Sequence, residues 1–197
     1  MDKVVVRIVD SNPIHIEDLF NHKLLSDKDK QESFRYLRSE NKKEKATAFI
    51  LRNKYIGKVY VSARGKPLSK TKFFNISHSK GIVAIAIADR DVGIDLEVVR
   101  PVDKSLKEYV SSKDEKKVIH DDASFFEVWT NKESLLKCTG SGIKGNMDKV
   151  PSLPFDNVKF YDGAYFFSRT VTYKKSVITV TRRSTDPFEI EIIEEKI

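Results

Sequence analysis

The sequence predicts an α+β protein of two similar halves, each a helix packed on a small antiparallel sheet, with the two halves face to face. Three observations predict it. Helical periodicity followed by strand-like alternation occurs twice along the chain, with the second unit beginning near residue 103. The alternating stretches are short and are joined by tight turns such as Asp89-Arg90-Asp91, Asp162-Gly163 and Lys174-Lys175. The 197 residues, 40% of them apolar, suit one large domain or two small ones with a real core. The expected division is 1–102 and 103–197. Residue-level similarity between the halves is slight, so the doubling is one of architecture and not a sequence repeat.

Taken in order, residues 4–9 read as a strand that Asn12-Pro13 ends. Residues 16–25 read as a short helix or loop. Ser26-Asp27-Lys28-Asp29 reads as a helix start, with Ser26 as its cap and acids in the first turn, and the helix continues over 29–37. A stronger helix follows over 42–55. Ala46, Phe49, Ile50 and Ile56 lie on or near one face of it, and Lys42, Lys43, Glu44 and Lys45 on the other. Residues 59–61 form a short strand, and Arg64-Gly65-Lys66-Pro67 a turn with two cations. Residues 73–79 and 82–88 read as strands. The Asp89-Arg90-Asp91 turn is expected to pair the latter with a strand over 92–98 as a hairpin. Pro101 ends that strand. Residues 106–119 read as a polar helix with 113–117 exposed. The next helix covers 124–139, with Ser124 as a fair cap and Gly140-Ser141-Gly142 as its stop. Residues 157–161, 164–173, 176–181 and 188–193 then alternate as strands.

Composition narrows the function classes. A formal net charge of +7 favours an anionic partner: nucleic acid, a phosphorylated small molecule or an acidic protein. The single cysteine, Cys138, excludes an intrachain disulfide and a cysteine zinc cluster, and reads as a packed thiol. The first residues carry an acid at once and too short an apolar run for a signal peptide, and no apolar run reaches the roughly 20 residues of a membrane span. A cytoplasmic location is expected.

Two stretches carry the chemistry. In Val92-Gly93-Ile94-Asp95-Leu96-Glu97-Val98 the strand period puts Asp95 and Glu97 on one face, where two carboxylates repel unless a cation or proton lies between them. In the 124–139 helix, at about 100° per residue, Phe126, Trp129, Glu133, Leu136 and Lys137 share one stripe, and a glutamate among apolar neighbours needs a partner. Alone, an Asp-x-Glu is more often a solvated strand face, and Glu133 with Lys137 more often a surface pair. Together they fit Asp95, Glu97 and Glu133 around one hard divalent cation, magnesium first and manganese as the open alternative. Lys66 in its turn, Ser77 and His78 at a strand end, and Lys137 one turn beyond Glu133 are groups that suit phosphate. A cation pocket beside a carboxylate metal site is what phosphoryl transfer requires.

Gly65-Lys66-Pro67, Phe74-Asn75-Ile76-Ser77-His78-Ser79, Val92-Gly93-Ile94-Asp95-Leu96-Glu97 and Trp129-Thr130-Asn131-Lys132-Glu133-Ser134-Leu135-Leu136-Lys137, followed by Gly140-Ser141-Gly142, stand in that order. In these stretches, over about residues 64–145, the sequence resembles the 4′-phosphopantetheinyl transferases of the surfactin type. The resemblance implies a pseudo-dimer with its active site in the cleft between the halves. It implies transfer of the phosphopantetheine arm of coenzyme A to a serine of an apo acyl or peptidyl carrier protein, with release of adenosine 3′,5′-bisphosphate. Asp95, Glu97 and Glu133 would hold magnesium. Glu133 would take the serine proton directly or through water, and Lys137 would contact the phosphates or the pantetheine arm and stabilise developing charge. Ser77 and His78 would bind the coenzyme's phosphates, Lys66 would lie near the nucleotide, and Lys132 would support the motif. Arg38 and Lys45 are the early-helix candidates for the 3′-phosphate. The doubled architecture suggests a monomer, and neither nucleic acid nor membrane is expected as a partner. Two other readings use the same charge: a magnesium-dependent nuclease, against which Val99 stands where a lysine is needed, and an RNA-binding module, which leaves Glu133 unexplained.

Overall fold

The alternating segments assemble into two four-stranded sheets in the computed structural model, which describes residues 2–142 and 145–197. The first sheet has the order β10 (Phe188–Glu194), β1 (Asp2–Asp10), β5 (Ile82–Ala88) and β4 (Phe73–Ser79). The second has the order β6 (Val92–Val98), β9 (Ser176–Arg182), β8 (Ala164–Tyr173) and β7 (Val158–Tyr161). A small hairpin of β2 (Tyr60–Val61) and β3 (Pro67–Leu68) stands apart. Strand alternation turns Val4, Val6, Ile8, Ala84 and Ala86 of the first sheet toward Ile94, Leu96, Ile178 and Val180 of the second, and these residues form one continuous core. The outer faces take helices. Ala48 and Leu51 of α3 (Ser39–Tyr55) pack on Val83 and Ile85, and α5 (Asp122–Thr139) covers the second sheet. Short helices α1 (Ile16–Asn21), α2 (Asp27–Phe34) and α4 (Lys104–Val110) complete the chain. Among the described residues, no helix is long and apolar enough to cross a membrane.

The structure bears out the α+β class and changes several details. Strand β6 does not form a hairpin with β5. It pairs in full register with β9 and is an edge of the second sheet, while β10 returns to lie parallel to β1 in the first. The first sheet is therefore mixed, and the sheets divide the chain differently from the boundary expected after residue 102. The physical reason lies in β6 itself. Val92, Ile94 and Leu96 are needed between the two sheets, and its N–H groups on the side away from β9 are taken by side chains of β4. The helix expected over 106–119 stops at Val110. Ser112 and Glu115 exchange side-chain and backbone hydrogen bonds that compete with helix, leaving a 3₁₀ turn at Glu115–Lys117 in which Glu115 is buried rather than exposed. The cap of α5 is Asp121, whose carboxylate accepts the Ser124 N–H at 2.8 Å. Ser124 takes the third position of the capping box.

Helix α5 and strand β6 approach most closely at Gly93. A Cβ there would lie 2.0 Å from the Ser134 carbonyl oxygen and 2.4 Å from the Cys138 nitrogen, both backbone atoms. The facing layer consists of small polar residues that bond one another: Thr130 with Thr179 at 2.8 Å, and Ser134 with Thr181 at 2.7 Å. Close approach and satisfied hydroxyls together fix the height of Glu133 and Lys137 over Asp95. Gly93→Ala should force the helix outward and lower the unfolding free energy by about 1–3 kcal/mol in urea titrations. Stability unchanged within about 0.5 kcal/mol would show that the contact is not tight.

Candidate active site

Asp95 is buried and Glu97 half-buried on one face of β6, and Glu133 is half-buried beside them on α5. The Ser77 hydroxyl donates to Asp95 Oδ1 at 2.9 Å, and Lys137 Nζ donates to the same oxygen at 2.6 Å. The Ser79 hydroxyl donates to Glu97 Oε2 at 2.7 Å, and Arg100 donates to that oxygen at 2.6 Å. Among the described residues, two buried carboxylate oxygens accept no hydrogen bond, Asp95 Oδ2 and Glu133 Oε1. Burial, then the charge of Asp95, push Glu133 up to about 7, with Glu97 adding and Lys137 opposing. The structure thus brings the three acids into one electrostatic neighbourhood. Lys137 faces Asp95, so it forms no surface pair with Glu133. Among the described residues no group of three acidic, imidazole or thiol side chains is arranged to hold a metal ion. Instead, two side-chain cations, Lys137 and Arg100, rest on Asp95 and Glu97.

Ser77 and His78 follow each other on β4, so their side chains leave opposite faces of the strand. Ser77 is buried, accepts the Leu96 N–H at 3.2 Å and stands behind Asp95. His78 lies on the other side, in a cavity of about 640 Å³ whose wall also includes Lys28, Lys45, Arg52, Lys58 and Phe74. Its Nδ1 is 2.8 Å from Glu44 Oε2. Glu44 is buried although it stands on the polar face of α3. Burial pushes its carboxyl up, but hydrogen bonds from His78 and the Gly81 N–H outweigh that and hold it below the ordinary range. Arg38 is exposed at the start of α3 and is not part of this wall. Lys66 donates to the Cys138 carbonyl at 2.7 Å, capping the C-terminus of α5, where Gly140 adopts φ 70°. It lines a second cavity of about 480 Å³ with Arg64, Asp91 and Arg183. Cys138 is packed, and burial pushes its thiol up to about 12.

Asn75, Ser79, Arg100 and Glu44 were not singled out as functional residues by periodicity. The signal available was the repetition of small hydrogen-bonding residues at every second position of Asn75-Ile76-Ser77-His78-Ser79. Lys132 is fully buried at 0% exposure and pairs with Glu115 at 2.7 Å, while its Nζ also donates to the Met147 carbonyl. Burial raises the Glu115 carboxyl, yet its bonds from Lys132, Ser152 and the Ser112 N–H leave it below the usual range. The pair ties α5 to the 3₁₀ turn and stands away from the three acids.

Two outcomes follow from this geometry. Lys132→Met strands the Glu115 carboxylate and should cost about 3–5 kcal/mol of stability, much of it recovered in the Lys132→Met/Glu115→Gln double variant. Equal losses in the single and double variants would deny the pairing. Glu133 keeps its proton in the folded chain up to about pH 7 but loses it in the unfolded chain near 4.5. Stability is therefore lost as pH rises between those values. In chelator-treated protein, Glu133→Gln should be more stable than the parent above pH 7 by on the order of 2 kcal/mol, and the gain should vanish below pH 4. A pH-independent difference would place Glu133 in water.

The family model described as the 4′-phosphopantetheinyl transferase superfamily matches residues 91–191, just over half of the chain, from the turn before β6 into β10. Over 88 residues the chain is 38% identical to the 4′-phosphopantetheinyl transferase psf-1 of Bacillus pumilus, covering 40% of this chain and 38% of that protein. It is 40% identical over 76 residues to the enzyme gsp of Aneurinibacillus migulanus, covering 36% and 32%. It is 39% identical over 100 residues to HetI of Nostoc sp., covering 41% and 40%. Each alignment thus spans less than half of the relative's length. Lys66, Ser77 and His78 precede the family match, whereas Asp95, Glu97, Glu133 and Lys137 fall inside it. The chain belongs to the 4′-phosphopantetheinyl transferase superfamily.

Proposed function

We propose that this protein transfers the 4′-phosphopantetheine arm of coenzyme A to a serine hydroxyl of an apo acyl or peptidyl carrier protein, releasing adenosine 3′,5′-bisphosphate. The observation that carries the reading is the pair of buried, unpartnered oxygens, Asp95 Oδ2 and Glu133 Oε1, beside the Lys137 ammonium. Unpaired buried carboxylate oxygens are costly, and a hard divalent cation suits an all-carboxylate donor set. Asp95, Glu97 and Glu133 would hold magnesium or manganese, which supplies charge neutralisation on the diphosphate.

The chain's own residues do the rest. Ser77 and Ser79 orient Asp95 and Glu97 through bonds of 2.9 and 2.7 Å. Lys137 turns its ammonium from Asp95 to the phosphate oxygens and stabilises the charge that grows as the bond to the bisphosphate breaks. Glu133 is the group placed to accept the proton of the attacking serine, directly or through a water. The His78 and Lys45 side chains receive the nucleotide's phosphate in the larger cavity. The two sheet-and-helix units then act as a pseudo-dimer within one monomer, with the reacting atoms between α5 and the β4–β6 edge. The charge of +7 suits an acidic carrier protein by speeding encounter.

With coenzyme A, magnesium and an apo carrier protein, the purified chain should add the mass of one phosphopantetheine arm to the carrier. Glu133→Gln and Asp95→Asn should each lower the rate by about 100-fold or more. No mass gain with any of several carriers would sink the activity, and a near-normal rate in either variant would sink the role of the acids.

A further inference from the structure

The geometry points to Glu44 as a positioning residue for His78: a buried carboxylate that sets which proton the imidazole presents to a phosphate in the 640 Å³ cavity. The inference deepens the proposed function and rests on its reading of that cavity as the site of the coenzyme's nucleotide. Glu44 comes from the polar face of α3, yet its side chain is only 6% exposed, whereas the His78 side chain is 44% exposed. One carboxylate oxygen accepts the Gly81 N–H at 2.7 Å, in the turn that joins β4 to β5. The other faces His78 Nδ1 at 2.8 Å. Both oxygens are acceptors, so Nδ1 must carry a hydrogen, and Nε2 is the ring nitrogen left for a ligand. A phosphate oxygen is also an acceptor. With Glu44 on one side and phosphate on the other, the bound ring carries a proton on each nitrogen and donates through both. The same logic operates where a carboxylate fixes the tautomer of a metal-ligating histidine.

The turn makes the arrangement directional. Lys80 and Gly81 have φ of 50° and 83°, a turn that needs its second residue free of a side chain, and the Gly81 N–H points at Glu44. In Glu44→Gln the amide oxygen must stay on the Gly81 N–H, so the amide N–H₂ is forced toward Nδ1. Nδ1 then becomes the acceptor, and the ring loses the proton arrangement that two acceptors impose.

The test pairs Glu44→Gln with His78→Gln in a double-mutant cycle on the full chain, with coenzyme A as the varied substrate. Glu44→Gln should raise KM for coenzyme A about tenfold with kcat within twofold, and should add nothing in the His78→Gln background. Glu44→Asp, which keeps an acceptor at shorter reach, should raise KM less. Imidazole ¹⁵N spectra of the free protein should show a protonated Nδ1 in the parent and an unprotonated Nδ1 in Glu44→Gln. A protein that folds with unchanged KM and an unchanged imidazole spectrum in Glu44→Gln overturns the inference, as does an equal KM effect with and without His78. Failure of the parent chain to bind coenzyme A overturns the reading of the cavity instead, and the ¹⁵N spectra separate the two failures.

Discussion

The structure depends on a row of three side-chain bonds. Asn75, Ser77 and Ser79, at alternate positions of β4, accept the backbone N–H groups of Ile94, Leu96 and Val98 at 3.0, 3.2 and 3.3 Å. In an ordinary sheet those N–H groups would meet carbonyls of a neighbouring strand. Here side chains take that place, so the edge of one sheet is joined to the edge of the other without merging them. Ser77 and Ser79 donate their hydroxyl hydrogens to Asp95 and Glu97. One row of small polar residues therefore satisfies a buried strand edge and orients Asp95 and Glu97.

That junction explains why charge can be concentrated where it would otherwise be unstable. Asp95 is almost wholly buried, and Glu133 lies close enough for the Asp95 charge to act on it. The Ser77 hydroxyl and the Lys137 ammonium carry part of the load on Asp95, and Ser79 with Arg100 carries it on Glu97. Arg100 is itself steadied over the Phe126 ring at 4.8 Å, so the aromatic start of α5 contributes to the polar centre as well as to the core. The remaining imbalance sits on Asp95 Oδ2 and Glu133 Oε1, the oxygens that a cation would satisfy.

The site is held from three directions. Gly93 lets α5 descend onto β6, the Lys132–Glu115 pair and the Asp121 cap hold the helix along its length, and Lys66 closes its end. Gly93, Lys132 and Lys66 lie within stretches that read as chemistry, yet each does structural work. Motif residues near an active centre often act by fixing the distance between two elements that carry reacting groups.

Much of the molecule was legible in local pattern. The α+β class, most element positions, the shared face of Asp95 and Glu97 and the inward place of Glu133 follow from periods of two and 3.6 residues, which neighbouring residues determine among themselves. The sides taken by Ser77 and His78 follow from the same alternation, although the resemblance places both on the coenzyme's phosphates. What the sequence alone determined is the kind and spacing of groups that can act. Tertiary structure decided which strand β6 would join, that β10 would return beside β1, and that Glu115 and Glu44 would turn inward. The reason is physical: an N–H group or a charge takes whichever partner the folded chain brings nearest, and that competition runs over 18 residues for Ser77 with Asp95 and 42 for Lys137 with Asp95.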